Sequence, residues 1–174
     1  MTVKLSRRRF LQVGLLGAGA LVLARVAYRV VALPAETTPL TTQHRAIVAA
    51  IVPALLANAL PVDHAQRARA IEETVSGVAT AMAGLPAHAQ KELNDLFSLL
   101  AFAPSRALLA GVWSPWERAS RDDVIQFLAG WRASRFSLFQ SAYQALHQLT
   151  YAAWYGNPRS WQDIGYAGPP RLAS

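Results

Sequence analysis

Apolar residues recur every three or four positions over most of this chain, which is the spacing of one face of an α-helix. Five stretches between residues 42 and 155 show it. Their apolar positions are, in order, Ile47, Val48, Ile51, Val52 and Leu55; Ile71, Val75, Val78 and Met82; Leu93, Leu96, Phe97 and Leu100; Val124, Phe127, Leu128 and Trp131; and Phe139, Tyr143, Leu146, Leu149 and Ala153. No stretch alternates with period two for long enough to predict a strand. The pattern therefore predicts a single all-α domain of about five or six helices.

Polar and helix-breaking residues mark where these helices begin and end. Asp63 and Ser120 stand directly before periodic stretches and are expected to cap helix N-termini. Pro53 is expected to kink or end the first helix, because proline lacks the backbone N–H that an interior position needs. Ser134 is predicted to open the longest helix. Residues 105–110 are predicted to form one short helical turn.

The C-terminal end of the chain has a different composition. Gly156, Asn157 and Pro158 are expected to end the last long helix. The 18 residues beyond Gly156 are rich in glycine, proline and aromatic residues, and we predict that they form an extended tail.

The N-terminal residues have the layout of a targeting segment, with a positive start followed by a mildly apolar run from Leu11 to Ala24. At its head stands the motif Ser6-Arg7-Arg8-Arg9-Phe10-Leu11-Gln12. It resembles the twin-arginine (Tat) leader, in which the translocase reads the planar guanidinium pair, and the candidate recognition residues are Ser6, Arg7, Arg8, Phe10 and Leu11. Two other interpretations are a basic helix that lies on a membrane surface and a membrane anchor, although a spanning helix needs about 20 consecutive apolar residues.

We predict a leader over residues 1–35, a linker over 36–42 and a helical interaction domain over 43–174. Cleavage sites prefer small residues at their last and third-last positions. Leu33-Pro34-Ala35 supplies only the last of these. Cleavage near Ala35 and retention of the leader as a tether therefore both stay open.

The charge of the chain is unevenly placed. The formal net charge is +7, yet residues 1–32 contain six basic and no acidic side chains, and the other 142 residues contain 11 basic and 10 acidic ones. Because the body is nearly neutral, the sequence does not indicate a nucleic-acid-binding domain. The chain has no cysteine, which excludes disulfides, thiolate metal sites and covalent haem attachment.

Residues that could carry chemistry are scattered. The histidines His44, His64, His88 and His147 lack metal-ligand spacing, and no serine stands in a nucleophile motif. The adjacent acidic pairs at 72–73 and 122–123 cannot face each other on a helix. We predict no catalytic, cofactor-binding or metal site, so the chain is expected to assist another protein. A small independent enzyme with an unrecognised site is the alternative.

The C-terminal tail is the other distinctive segment. Dense aromatic residues in a Gly/Pro frame are typical of an interface that loses little conformational entropy on binding. The candidate partner-interface residues are Trp154, Tyr155, Asn157, Pro158, Trp161 and Tyr166. A tail that folds back over its own helices is an equally open interpretation.

Tyr155-Gly156-Asn157-Pro158 to Trp161, followed by Ile164-Gly165-Tyr166 and Gly168-Pro169-Pro170, resembles the C-terminal signature of the gluconate 2-dehydrogenase subunit 3 family. The resemblance is specific in the leader and in about 40 C-terminal residues. The family often has Pro-Gly where this chain has Pro53-Ala54.

The resemblance implies an accessory subunit with no cofactor of its own. It would pair with a large FAD-containing oxidoreductase of the glucose–methanol–choline type, often with a multihaem cytochrome c subunit. The large subunit commonly lacks a leader and is carried out folded by the small one through the Tat translocase. We therefore expect export to the periplasm and association with the inner membrane through the complex or the leader. A membrane-tethered scaffold without an export role is the remaining alternative.

Overall fold

The computed structural model describes residues 40–163 and residue 165, and these residues form an all-α fold. The chain divides into two units after Pro34, and every described residue belongs to the second. The elements are α1 (Thr42–Leu55), α2 (His64–Ala83), α3 (Ala87–Ala101), α4 (Ala103–Ser105), a π-helical turn (Arg106–Ala110), a 3₁₀ turn (Trp116–Arg118), α5 (Arg121–Arg132), α6 (Ser137–Tyr155) and α7 (Arg159–Asp163). Five helices are longer than ten residues, so the predicted class is confirmed. No helix within residues 40–163 is both long and apolar enough to cross a lipid bilayer.

Helix α1 is the central element of the domain. It contacts α2, α3, α5, α6 and the 3₁₀ turn. Its side chains Ile47 and Val52 are fully buried, as the periodic pattern predicts. Thr41 caps the N-terminus of this helix, and its Oγ1 accepts a hydrogen bond from the backbone N–H of His44 at 3.2 Å. Because α1 touches nearly every other long helix, its apolar faces define the core.

Helix α1 continues for two residues beyond Pro53, where the sequence suggests a kink or an end. The helix runs through Pro53 and ends at Leu55. Proline removes one backbone hydrogen bond, but the N–H of Leu56 still donates to the carbonyl of Val52 at 2.9 Å. Since Pro53 lies in the last turn, few bonds remain for it to interrupt.

Helices α2 and α6 pack against each other more extensively than any other pair. At Gly77 the backbones approach so closely that an added Cβ would lie 3.0 Å from the Cβ of Ala153. Four residues earlier on α2, Glu73 contacts Asn157, which follows the end of α6. The two helices are therefore antiparallel, and the start of α2 lies beyond the C-terminal end of α6.

Both residues predicted to cap helix N-termini do so, whereas one predicted helix start is wrong. Asp63 Oδ1 accepts a hydrogen bond from the N–H of Gln66 at 2.8 Å, and Ser120 Oγ accepts one from Asp123 at 3.1 Å. The prediction that Ser134 opens the last long helix is wrong, because α6 begins at Ser137. Ser134 Oγ instead accepts from the N–H of the residue two positions on, which forms a turn before the helix.

Three further expectations need correction. The predicted linker over residues 36–42 overlaps the folded domain, since Leu40 is buried and α1 begins at Thr42. The longest helix is α2, with 20 residues against 19 in α6. The predicted extended tail is also wrong for residues 159–163, which form the short helix α7.

Two tryptophans hold the irregular segment between α3 and α5. Trp116 Nε1 donates to the carbonyl of Leu100 at 2.8 Å, and Trp131 Nε1 donates to the carbonyl of Leu109 at 2.8 Å. Phe127 lies between the two indoles, with ring centroids 5.8 Å from Trp116 and 4.7 Å from Trp131. The indoles thus satisfy carbonyls that the helix ends leave free, and they fix the segment against α5.

A Gly→Ala pair tests the close crossing of α2 and α6. Alanine is the better helix former by about 1 kcal/mol, and Gly130 on α5 has nothing within 4 Å of an added Cβ. We expect Gly130→Ala to raise the free energy of unfolding by about 0.5–1 kcal/mol. Gly77→Ala should lower it, because overpacking typically costs about 1–3 kcal/mol. Urea unfolding measures both, and equal stabilisation by the two variants would contradict the close crossing.

Candidate interaction surface

Residues 156–161 form a tight corner between α6 and α7. Gly156 follows α6, and an added Cβ there would lie 2.8 Å from the carbonyl oxygen of Ala152, so a larger residue does not fit. Asn157 Oδ1 accepts a hydrogen bond from the N–H of Arg159 at 3.0 Å, and Pro158 precedes the short helix. The conformation of the corner therefore explains why glycine, asparagine and proline stand at positions 156–158.

Two side chains of α7 stabilise this corner through hydrogen bonds to backbone carbonyls. Ser160 is buried, and its hydroxyl lies 2.9 Å from the carbonyl oxygens of both Trp154 and Asn157. Trp161 Nε1 donates to the carbonyl of Tyr155 at 2.7 Å. Because the last carbonyls of α6 are satisfied by α7, the two helices form one local unit.

The corner is also joined to α2. Asn157 Nδ2 donates to Glu73 Oε2 at 3.1 Å, and Arg159 Nη1 lies 3.3 Å from the same carboxylate. The neighbouring Glu72 pairs instead with Arg45 on α1. The two adjacent glutamates thus act on different helices, which agrees with the prediction that they form no dyad.

The predicted interface residues divide into buried, partly exposed and undescribed positions. Trp154 is only 4% exposed and belongs to the core of this chain, so its assignment to a partner surface is wrong. Tyr155 is 41% exposed, and Pro158 is exposed beside it. Asn157 and Trp161 are half-buried and engaged within the corner. The available surface is therefore smaller than predicted.

Several predicted positions lie outside the described residues. These are the Tat recognition residues Ser6, Arg7, Arg8, Phe10 and Leu11, and the candidate interface residue Tyr166. Their assignment remains a prediction from the sequence.

An aromatic ladder runs along α6 to the corner. It consists of Tyr143, His147, Tyr151 and Tyr155, whose ring centroids lie 5.7, 4.1 and 5.8 Å apart in order. Tyr151 Oη donates to the carbonyl of Leu55 at 3.3 Å, which ties the ladder to α1. The sequence analysis missed the ladder, although its spacing of four residues is the signal that reveals it.

A second set of exposed apolar side chains lies away from the corner, and we call it the apolar patch. Its members are Leu108, Trp113, Phe136 and Leu138. Leu108 lies within the π-helical turn and Trp113 three residues beyond it, and the other two stand where α6 begins. The sequence analysis did not single out these residues, because a helical pattern does not show which apolar positions remain uncovered.

Within residues 40–163, no three histidine or carboxylate side chains are close enough to hold a metal ion. His147 belongs to the aromatic ladder, whereas His64 and His88 are exposed. His44 is different because it is buried and stacks on Phe97 with a centroid distance of 5.5 Å. Its Nδ1 is a buried side-chain atom without a hydrogen-bond partner.

Comparisons with family models, characterised proteins and solved structures found no match to this chain. A function for the chain therefore rests on its residues and their geometry.

Burial lowers the pKa of His44 below its ordinary value of 6.5. The unfolded chain then takes up a proton at this residue at higher pH than the folded one, so acid favours unfolding. Stability from the neutral imidazole is present above pH 6.5 and is lost as the pH falls from there through the lowered pKa. His44→Leu should flatten this part of the profile, by at most about 1.4 kcal/mol per pH unit for one proton.

Urea unfolding between pH 5 and 8 measures this effect. The matched control is His88→Leu, since His88 is exposed on α3. It should leave the profile unchanged. A His44→Leu protein with the pH dependence of the unchanged protein would contradict a role for the buried imidazole.

Removing the Ser160 hydroxyl tests whether its hydrogen bonds stabilise the corner. Ser160→Ala removes the donor to two carbonyls near the end of α6 and should lower the free energy of unfolding by about 1 kcal/mol. Ser141→Ala on the exposed face of α6 is the control, and it should be neutral or slightly stabilising because alanine is the better helix former. Hydrogen exchange should show faster opening at residues 156–161 in the first variant alone.

Proposed function

We propose that this chain is a non-catalytic subunit of a flavin-dependent dehydrogenase complex and escorts the catalytic subunit across the inner membrane. The observation that carries the proposal is the Ser6-Arg7-Arg8-Arg9-Phe10-Leu11 motif on a chain whose C-terminal residues resemble the gluconate 2-dehydrogenase subunit 3 signature. The leader supplies the export address, and the helical body holds the partner.

The chemistry of the partner favours this division of roles. FAD is inserted into a folded flavoprotein, so such a protein must be folded before it leaves the cytoplasm. The Tat pathway transports folded proteins. A catalytic subunit without a leader can therefore reach the periplasm if it is bound to a chain that carries one.

The geometry of the C-terminal corner supports a partner contact at a definite place. Tyr155 projects where α6 ends, and its position is set by the hydrogen bond from Trp161 to its carbonyl. Pro158 is exposed next to it. A rigid aromatic side chain loses little entropy on binding, which is typical of interface hot spots. We assign the contact with the large subunit to Tyr155 and Pro158.

The rest of the complex follows from the family resemblance. FAD and the substrate pocket belong to a large subunit of the glucose–methanol–choline type, and a multihaem cytochrome c subunit accepts the electrons. The complex resides in the periplasm at the inner membrane. This chain contributes export and stabilisation to the complex.

Replacing the arginine pair tests the escort role. The double variant Arg7→Lys, Arg8→Lys keeps the charge but removes the planar guanidinium forks that the translocase reads. With the flavoprotein co-expressed, we expect most of the FAD-containing subunit to remain in the cytoplasm. Cell fractionation followed by flavin fluorescence and periplasmic dehydrogenase activity measures this outcome.

The chain offers a matched control at Arg9, which stands at the position where the motif accepts any residue. Arg9→Lys should leave export of the flavoprotein unchanged. Normal periplasmic activity in the double variant would refute the escort role, because the partner would then reach the periplasm without the arginine pair.

A further inference from the structure

The apolar patch projects strongly from the surface. Leu108, Trp113 and Leu138 are 74%, 79% and 73% exposed, and Phe136 is 55% exposed. The two halves of the patch are joined beneath the surface by Trp131, which bonds to the carbonyl of Leu109 and stacks on Phe139 at 5.2 Å. Phe139 in turn contacts Phe136 at 6.1 Å. This aromatic base of Trp131 and Phe139 thus contacts Phe136 and reaches the backbone next to Leu108.

The loop that bears Leu108 and Trp113 is held in one conformation. Arg106 is buried and donates from Nε to the carbonyl of Val112 at 3.2 Å and from Nη2 to that of Trp113 at 3.4 Å. Gly111 has φ of 69°, a left-handed conformation that favours glycine. Because the loop is ordered before any contact forms, little entropy is lost when its apolar side chains are covered.

The charged side chains nearest the start of α6 are basic, whereas an exposed carboxylate, Glu117, lies four residues after Trp113. The segments 96–116 and 124–162, which contain every member of the patch and its aromatic base, have no acidic residue. Arg132 and Arg135 are exposed between the base and the start of α6, and the Arg135 guanidinium lies 5.1 Å above the ring of Phe136. The nearest carboxylates on α5, Asp122 and Asp123, lie in its first turn, about 13 Å along the axis from Trp131.

The patch and the C-terminal corner lie at opposite ends of α6. Leu138 is in the first turn and Tyr155 is the last residue, so the helix separates them by about 26 Å. This separation makes the patch a surface of its own.

We propose that the apolar patch seats on the surface of an anionic lipid bilayer. Trp113, Phe136 and the two leucines enter the headgroup and upper acyl region, where tryptophan is favoured, while Arg132 and Arg135 face lipid phosphates. Side chains that project singly suit a fluid lipid surface, whereas a protein partner would need pockets that match each of them. The inference concerns the folded body and does not depend on the escort role.

A single cysteine tests this placement directly, since the chain has none of its own. Leu138→Cys carries an environment-sensitive nitrobenzoxadiazole probe on the full-length chain, and binding is measured with vesicles of phosphatidylethanolamine and phosphatidylglycerol. The control is Val62→Cys. Val62 is fully exposed and precedes α2, so it lies at the corner end of the antiparallel α2–α6 pair.

The expected result is a blue-shifted probe emission at residue 138 and unchanged emission at residue 62. The leader is identical in both proteins, so binding through the leader alone does not embed residue 138. Unshifted emission at 138 on vesicle-bound protein, equal shifts at both sites, or no vesicle binding would each overturn the proposal. A shift at 138 without vesicles that grows with protein concentration would also overturn it, because a second copy would then cover the patch. Leu108→Cys provides a second label site should Leu138→Cys fail to fold.

Charge variants test how much Arg132 and Arg135 contribute to binding of the anionic bilayer. Replacing Arg132 and Arg135 with glutamine should lower the ratio of embedded to free probe roughly fivefold for each arginine, since a basic residue near an anionic surface contributes about 1 kcal/mol. Arg67→Gln with Arg69→Gln at the far end of α2 makes the same change in net charge and should leave the ratio unchanged. Vesicles of phosphatidylcholine should embed the probe less. Equal loss with both arginine pairs would overturn the assignment of Arg132 and Arg135.

Discussion

The close approach of α2 and α6 at Gly77 and Ala153 is the constraint on which the rest of the structure depends. It brings two long helices into backbone contact, and together with the contact between Glu73 and Asn157 it defines their antiparallel register. In this register Glu73 meets Asn157 and Arg159 just beyond the end of α6. The C-terminal corner is therefore attached to the core through α2 as well as through α6.

The two ends of α6 have different surroundings. One end has the corner with Tyr155, where the aromatic ladder of α6 reaches the surface. The other has the apolar patch, next to the exposed Arg132 and Arg135. A subunit that holds a flavoprotein at one end and rests on lipid at the other fits both proposals, and each proposal can fail without the other.

Much of the fold could be predicted because local signals and packing agree. The apolar faces of α1 and α5 follow directly from the spacing of their apolar residues. The caps at Asp63 and Ser120 are local hydrogen bonds, which the sequence also indicates. The site was less predictable. Trp154 is of a residue type common at interfaces, yet it is buried in the core of the domain, and composition alone does not show which tryptophans tertiary packing covers. Leu108 and Leu138 fit a helical pattern equally well whether covered or exposed.

The sequence by itself determined the all-α class, the approximate helix positions and the separation of a basic N-terminal segment from a nearly neutral body, since helical period and charge are properties of consecutive residues. Only the tertiary structure decided that the tail turns back as α7, that His44 is buried without a partner for Nδ1, and that four apolar side chains stay uncovered. The physical reason is that burial depends on contacts between residues far apart in the chain, and such contacts follow from close packing between helices.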